Sequence, residues 1–340
     1  MMLHNEQELE DFLARPSARD VAAFKELAGD ILILGVAGKM GPSLARRARR
    51  ASEEAGTSRR IVGVARFSEA GVREQLERDG IETIAADLLD AASLAKLPDA
   101  PNVVFMAGRK FGSTGSEELT WAMNTYLPAL VAERYRDARI VAFSSGNVYP
   151  FTPLAHGGPT ETYPPAPVGE YAQSVLGRER MFQYCSRRYG TPCVLLRLNY
   201  AIDLRYGVLL DIGRKVFERR PVDVTMGAVN VIWQGDAISV ALRSFAICSS
   251  PAAILNLTGP ETLSVRWIAR QFGERFGVEA VIEGAEAPTA LLNNASRCQA
   301  VFGYPEVSVD QMIDWLAEWI RQGGSSWAKP THFETRDGKF

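Results

Sequence analysis

The stretch Ile31-Leu32-Ile33-Leu34-Gly35-Val36-Ala37-Gly38-Lys39-Met40-Gly41 decides how the rest of the 340-residue chain is read. Four consecutive apolar residues have no polar face, so they predict a short strand buried on both sides. The glycines follow it directly and open a helix that begins at Pro42. Gly35 permits a tight turn, Gly38 lets the backbone approach a pyrophosphate, and Gly41 lets the helix pack closely on the strand. The helix N-terminus then offers unpaired N–H groups to phosphate. A GxxGxxG string alone also serves plain turns. Between a buried strand and a helix it predicts a dinucleotide site, with Lys39 and Met40 at its rim.

Outward from this stretch, apolar strands alternate with amphipathic helices. Strands are expected at 61–64, 81–86, 102–106 and 139–143, with helices at 42–55 and 70–78 and a long one at 116–135. Continuous apolar strands separated by helices are parallel strands covered on both faces, so the fold class is α/β, a doubly wound parallel sheet of Rossmann type. A Pro/Gly-rich loop at 149–169 interrupts the alternation, and a helix at 170–189 and a strand at 193–198 resume it. Three parts are expected. Residues 1–29 form a helical extension, two short helices broken at Pro16 with Ser17 as an N-cap. Residues 30–200 form the dinucleotide-binding domain, rejoined by part of 227–247. Residues 201–340 form a smaller, mainly substrate-binding α/β cap, including a short strand at 254–257.

Composition excludes several classes. Lys and Arg number 38 against 40 Asp and Glu, a net charge of −2, whereas nucleic-acid binders usually carry a basic excess. No apolar run approaches the ~18 residues of a membrane span, and the acidic, helical first twenty residues do not read as a signal peptide. Neither nucleic acid nor membrane is therefore expected as a partner. The three histidines (His4, His156, His332) are scattered and the four cysteines show no CxxC spacing, so neither a metal site nor a histidine-based triad is expected. Apolar surroundings of Cys193 and Cys248 suggest reduced thiols and a cytoplasmic location.

The second strand ends Val64-Ala65-Arg66 with no acidic residue. An acid there would accept from a ribose 2′-hydroxyl, and a base suits a 2′-phosphate. Arg66 therefore favours NADP over NAD, unless it stacks on adenine or is simply solvated. Asp87-Leu88 follows the third strand. Asp87 would either accept the adenine amino group or cap the helix near Asp90.

Two further strings complete a set. Phe143-Ser144-Ser145-Gly146-Asn147-Val148-Tyr149 follows the fifth strand, and Tyr171-Ala172-Gln173-Ser174-Val175 opens the next helix. With the glycine loop, Asp87, Met106-Ala107-Gly108, Asn124 and Arg197-Leu198-Asn199, the chain from about 30 to 319 resembles the extended short-chain dehydrogenase/reductase superfamily, in its NAD-dependent epimerase/dehydratase branch. The resemblance implies an enzyme that oxidises, reduces or epimerises a carbohydrate-like substrate (sugar, sugar acid, lactone or nucleotide sugar). Ser145 would orient and polarise the reacting oxygen and Tyr171 would carry its proton. Met106, Ala107, Gly108, Asn124 and Tyr171 would lie at the cofactor, and Ser145, Asn147, Asn199 and Arg205 on the substrate side. Asn124, unfavourable mid-helix and followed by Pro128, would support the active-site backbone beside Ser144 or mark a local kink. Family members commonly dimerise through the helices beginning near Ser116 and Glu170, so a homodimer is expected.

The sequence departs from the family where the tyrosine's lysine partner should stand, four residues on. Here that residue is Val175. A surrogate cation can come from Lys110 or Arg109 in the loop after the fourth strand, or from Arg178, seven residues after Tyr171 on the same helix face. Alternatively the cofactor's own charge suffices, or the protein binds nucleotide without hydride transfer, as a redox sensor or scaffold. A second departure is Val229, where an arginine normally meets a nucleotide diphosphate. Its loss moves substrates without a nucleotide upward.

Overall fold

The computed structural model describes residues 2–110, 112, 115–329 and 331–338. Seven parallel strands form the main sheet: β1 (Ile31–Leu34), β2 (Ile61–Ala65), β3 (Glu82–Ala85), β4 (Asn102–Phe105), β5 (Arg139–Ser145), β6 (Cys193–Leu198) and β7 (Ala253–Leu257). Their order is β3-β2-β1-β4-β5-β6-β7. β1 lies inside the sheet between β2 and β4, with Ile31 opposite both Ile61 and Asn102, and every residue of β1, β2 and β4 is buried. The strand order reverses between β1 and β4, and in open α/β sheets ligands bind in the crevice outside that point, at the carboxyl ends of the strands. The glycine loop leaves β1 there.

Helices cover both faces. One core packs Ile31, Ile33, Leu44, Val104 and Leu255 together with Ile238, and the other packs Leu32, Leu34, Phe105, Val131 and Phe182. The strand expected at 254–257 within a cap is instead β7, the edge of the main sheet, paired Ala253↔Val194 through Leu257↔Leu198. Sequence alternation alone does not say which sheet a five-residue strand joins. The long helix expected over 116–135 is broken into Glu117–Trp121 and Leu127–Arg134 by a π-helical turn at Ala122–Tyr126. Pro128 lacks the N–H that a continuous α-helix needs. The C-terminal part gathers a third core around Trp233, Phe272 and Trp315, to which the four two-stranded ribbons found among the described residues contribute Ile202, Val222, Val229 and Ala290.

The N-terminal extension forms helices Glu6–Leu13 and Ala18–Glu26, the second started by a Ser17/Asp20 capping box. It explains a helix, Gly41–Glu54, that carries arginines on a largely buried surface. Glu10 pairs with Arg46 at 2.6 Å, Asp11 with Arg50 at 2.6 Å, and the fully buried Asp20 with Arg47 at 2.6 Å. Leu3, Leu9 and Leu13 join the Trp233 core, while Phe24 joins the sheet core. The extension thus ties the sheet to the C-terminal region.

Candidate active site

At the crevice, Gly35 has φ +92° and a Cβ there would lie 2.6 Å from the Ala107 nitrogen. Gly41 packs against Val36, whose carbonyl any Cβ would strike, and Gly38 is exposed with its nearest neighbour, the Gly35 carbonyl, at 3.4 Å from such a Cβ. Gly35 and Gly41 therefore have the turn and packing reasons that the sequence gives them, while a Cβ at Gly38 would meet only ordinary contact. The helix Gly41–Glu54 begins with Met40 as N-cap and no side chain capping it. The Gly41 N–H donates to the Gly38 carbonyl at 3.1 Å and Pro42 has no N–H, so of the first three helical positions Ser43 offers its N–H to an anion. Met106 and Ala107 continue from β4 beside this loop, the Met106 N–H donating to the Leu34 carbonyl at 2.9 Å.

Two lysines stand over the crevice. The Lys39 ammonium lies 3.1 Å from the centroid of the Tyr206 ring, and Lys110 lies 5.9 Å from that of Tyr171. Burial, with the charges of Lys110 and Lys329, pushes Lys39 down to about 7. Burial likewise pushes Lys110 down to about 8, against the pull of Asp211. An anion raises both values again. Between those values and 10.5 the anion-free protein binds fewer protons than the anion-bound one, so binding a diphosphate at pH 8 takes up about one proton. Calorimetry in buffers of differing ionisation heat measures this uptake, and an affinity that falls as pH rises above 8 accompanies it.

At the end of β2, Arg66 is exposed. Asp87 is exposed too, accepting from the Leu89 N–H at 3.0 Å, while Asp90 caps the following helix through Ala92 and Ser93. Asp87 is thus not the cap. Leu88 is corrected as a side-chain contact, because it is buried among Leu32, Leu34 and Leu94. Asn124 is corrected as well. Its Oδ1 accepts from the Arg109 N–H (2.9 Å) and Arg178 (2.8 Å), and its Nδ2 donates to the Arg109 carbonyl (2.8 Å) and Ser174 (3.0 Å). With its amide fully committed, Asn124 holds the loop after β4 in place rather than offering that amide to a cofactor.

Ser145 ends β5. Its hydroxyl donates to Asn147 Oδ1 at 2.9 Å and shares a side-chain hydrogen bond with Tyr171. Burial raises the Tyr171 phenol, opposed by the Arg178 charge and the Ser145 bond. Val175 packs with Val148 and Tyr149 in an apolar cluster that Tyr171 borders, so the expected lysine position is dry and apolar. Arg178 lies one helical turn further on, buried, donating to the Phe143 carbonyl at 2.7 Å and to Asn124 Oδ1. Burial pushes it down to about 10. Gly108 sits against this guanidinium, where any Cβ would strike Arg178 Nη2. Of the proposed surrogates, Arg178 is the one whose charge favours the Tyr171 anion, and Lys110 stands over the Tyr171 ring. Below them Glu179 binds Ser144 (2.6 Å) and Arg197 (2.7 Å), and Arg197 donates to the Tyr149 hydroxyl at 2.6 Å, a buried network that fixes the end of β5.

On the substrate side, Asn199 is buried with its Nδ2 lacking any partner among the described residues. Val229 is fully buried core. Arg205 is corrected: it forks onto Asp203 (2.7 and 2.9 Å) and reaches Glu10 at 2.7 Å, so it fastens the N-terminal helix and is not free for a substrate carboxylate. A small cavity next to Ser145 is lined by Asn147, Tyr149, Phe151, Tyr200, His332 and Phe333. The last two come from the C-terminal tail, which sequence reasoning missed. Its signal was Trp327, His332 and Phe333 in an otherwise polar run.

Comparison with known proteins gives the family and the fold. Residues 31–201, half of the chain, match the model of the NAD dependent epimerase/dehydratase family. No curated protein matches the chain. Solved structures share the fold at low identity. UDP-glucuronic acid 4-epimerase from Bacillus cereus, in complex with UDP-glucuronic acid and NAD, is 18% identical at a TM-score of 0.70, over 86% of this chain and 99% of that one. UDP-glucose 4-epimerase from Thermotoga maritima, with UDP-glucose, is 16% identical at 0.69, over 86% and 99%. The chain belongs to the NAD dependent epimerase/dehydratase family, enzymes of the short-chain dehydrogenase/reductase type.

Proposed function

We propose that this protein uses a nicotinamide dinucleotide, NADP in preference to NAD, to oxidise, reduce or epimerise a carbohydrate-like substrate. The observation that carries the reading is the Ser145–Tyr171 hydrogen bond at the end of β5, with a buried arginine behind it and the open glycine loop at the same edge of the sheet. Gly35, Gly38 and Gly41, the uncapped helix start and Lys39 would hold the dinucleotide, which supplies a hydride donor or acceptor when bound. Arg66 supports the 2′-phosphate form. The UDP-sugars and NAD bound to the structural neighbours support the substrate and cofactor classes.

In the oxidation direction the hydride leaves the carbinol carbon with the C–H electron pair, the O–H proton passes to the Tyr171 oxygen, and a C=O bond forms. Ser145 turns its one proton from Asn147 Oδ1 to the same substrate oxygen, while the Asn147 N–H, donating to the Ser145 oxygen at 3.2 Å, keeps that oxygen in place. Arg178 stabilises the tyrosinate that accepts the proton. For epimerisation the hydride returns to the opposite face of the carbonyl carbon, and Tyr171 gives its proton back. Exposed Leu119, Trp121, Tyr126 and Tyr184 on the helices that include Ser174 and Leu127 or adjoin them support a homodimer, and the free cysteines support a cytoplasmic location.

The test incubates the enzyme with NADPH deuterated at the transferable position and a panel of free and UDP-linked keto sugars. Deuterium carried into a sugar product, and lost with Tyr171→Phe, is the expected result. No transfer to any member, in a sample that binds NADPH, favours the sensor or scaffold reading that the dry Val175 position invites.

A further inference from the structure

After its last helix, Val309–Arg321, the chain does not leave the molecule. The Trp327 N–H donates to the Arg205 carbonyl at 3.1 Å, its indole stacks on Tyr206 at 6.1 Å and 29°, and the Arg205 guanidinium lies 4.8 Å from the indole. The same Tyr206 ring carries the Lys39 ammonium at 3.1 Å. Four residues after Trp327, Thr331 is fastened to Asp211 by its N–H (2.8 Å) and its hydroxyl (2.6 Å). Lys329 lies between these two anchors. Its ammonium is 4.0 Å from Glu69 Oε1, three residues beyond Arg66. The tail therefore reaches the end of β2, and Lys329 and the glycine-loop Lys39 feel each other's charge.

Lys329 of the tail pairs with Glu69, three residues beyond the exposed Arg66, and its charge reaches Lys39 of the glycine loop. Glu69 balances Lys329 there, and Asp211 is already bonded to Thr331. We propose that the C-terminal tail is a wall of the dinucleotide site, and that Lys329, with Arg66, binds a phosphate monoester on the adenosine ribose. The inference rests on the dinucleotide reading above and deepens it, since it makes the tail the element that selects NADP. Glu69 holds Lys329 in position and gives it up to the phosphate, a stronger dianionic partner.

The test compares 2′,5′-ADP with 5′-AMP by titration calorimetry on the wild-type chain, Lys329→Ala and Arg66→Ala. Lys329 is half exposed with one distant ion pair, so its removal leaves the fold intact. The wild type is expected to bind 2′,5′-ADP at least about tenfold more tightly than 5′-AMP, the worth of one good charge-assisted contact. Lys329→Ala is expected to lose most of that preference while its 5′-AMP affinity stays the same. A preference that survives Lys329→Ala but falls with Arg66→Ala overturns the role of the tail and leaves the NADP reading standing. A wild type with no preference overturns both. Failure to bind either nucleotide overturns the dinucleotide reading itself.

Discussion

Tyr171→Phe lowers turnover by about 10³-fold, the usual worth of a positioned acid–base group, and leaves the affinity for NADPH within about twofold. The hydroxyl is the only atom removed. Its partners are the Ser145 hydroxyl and the charge of Arg178, neither of which belongs to the glycine loop that would hold the phosphates. The ring stays beside Val148, Tyr149 and Val175, so the melting temperature changes little. Steady-state kinetics with cofactor titration separates the two effects. Equal losses in kcat and in cofactor affinity contradict the assignment, because the residue then serves binding. The pH dependence has a definite sign. Burial raises the phenol above its ordinary value of 10, so below that value it is protonated. Oxidation, which needs the tyrosinate, therefore accelerates by about tenfold per pH unit through the neutral range, while reduction, which needs the phenol, is flat there.

Arg178→Met has the second large effect, and it acts on both stability and rate. The change leaves the Phe143 carbonyl and Asn124 Oδ1 without their guanidinium partner, and breaking such a buried charged contact costs about 3 kcal/mol. The melting temperature falls by several degrees. With its favourable charge removed, Tyr171 rises further, so the oxidation profile moves to higher pH. A purely structural role for Arg178 predicts the stability loss without that movement. Arg178→Lys keeps the charge and retains part of the profile. Val175→Lys by itself destabilises the protein, because it puts an ammonium among Val148, Tyr149 and Leu176 beside an existing cation. In the Arg178→Met background the same change restores some activity, since a cation then again stands on the tyrosine face of the helix.

The main sheet was legible because β1, β2 and β4 are buried along their whole length, and a strand buried on both faces shows as an unbroken apolar run. The glycine loop was legible because Gly35 and Gly41 each have a separate steric reason, a positive φ against Ala107 and close packing on Val36. β7 was misplaced, since Ala253–Leu257 carries the same local pattern whether it joins the main sheet or a separate one. Asn124 and Arg205 show a different limit. Both are polar residues in plausible positions, but each has a partner far along the chain: Ser174 for Asn124, and, beside the nearby Asp203, Glu10 for Arg205 at 2.7 Å. Sequence spacing reveals neighbours on one helix, which is why Arg178 was among the candidates beside Tyr171. It does not reveal which side chain has already been neutralised by a distant segment. The tail was unreadable for the same reason, because Trp327 and Lys329 gain their meaning only from Tyr206 and Glu69.

The central claim is that the crevice beyond β1 and β4 binds a nicotinamide dinucleotide for use by Ser145 and Tyr171. Titrating purified, nucleotide-stripped protein with NADPH and with NADH, by fluorescence, tests it most directly. The account predicts saturable binding with a Kd on the order of micromolar for NADPH and clearly weaker binding of NADH. A folded sample that binds neither contradicts it.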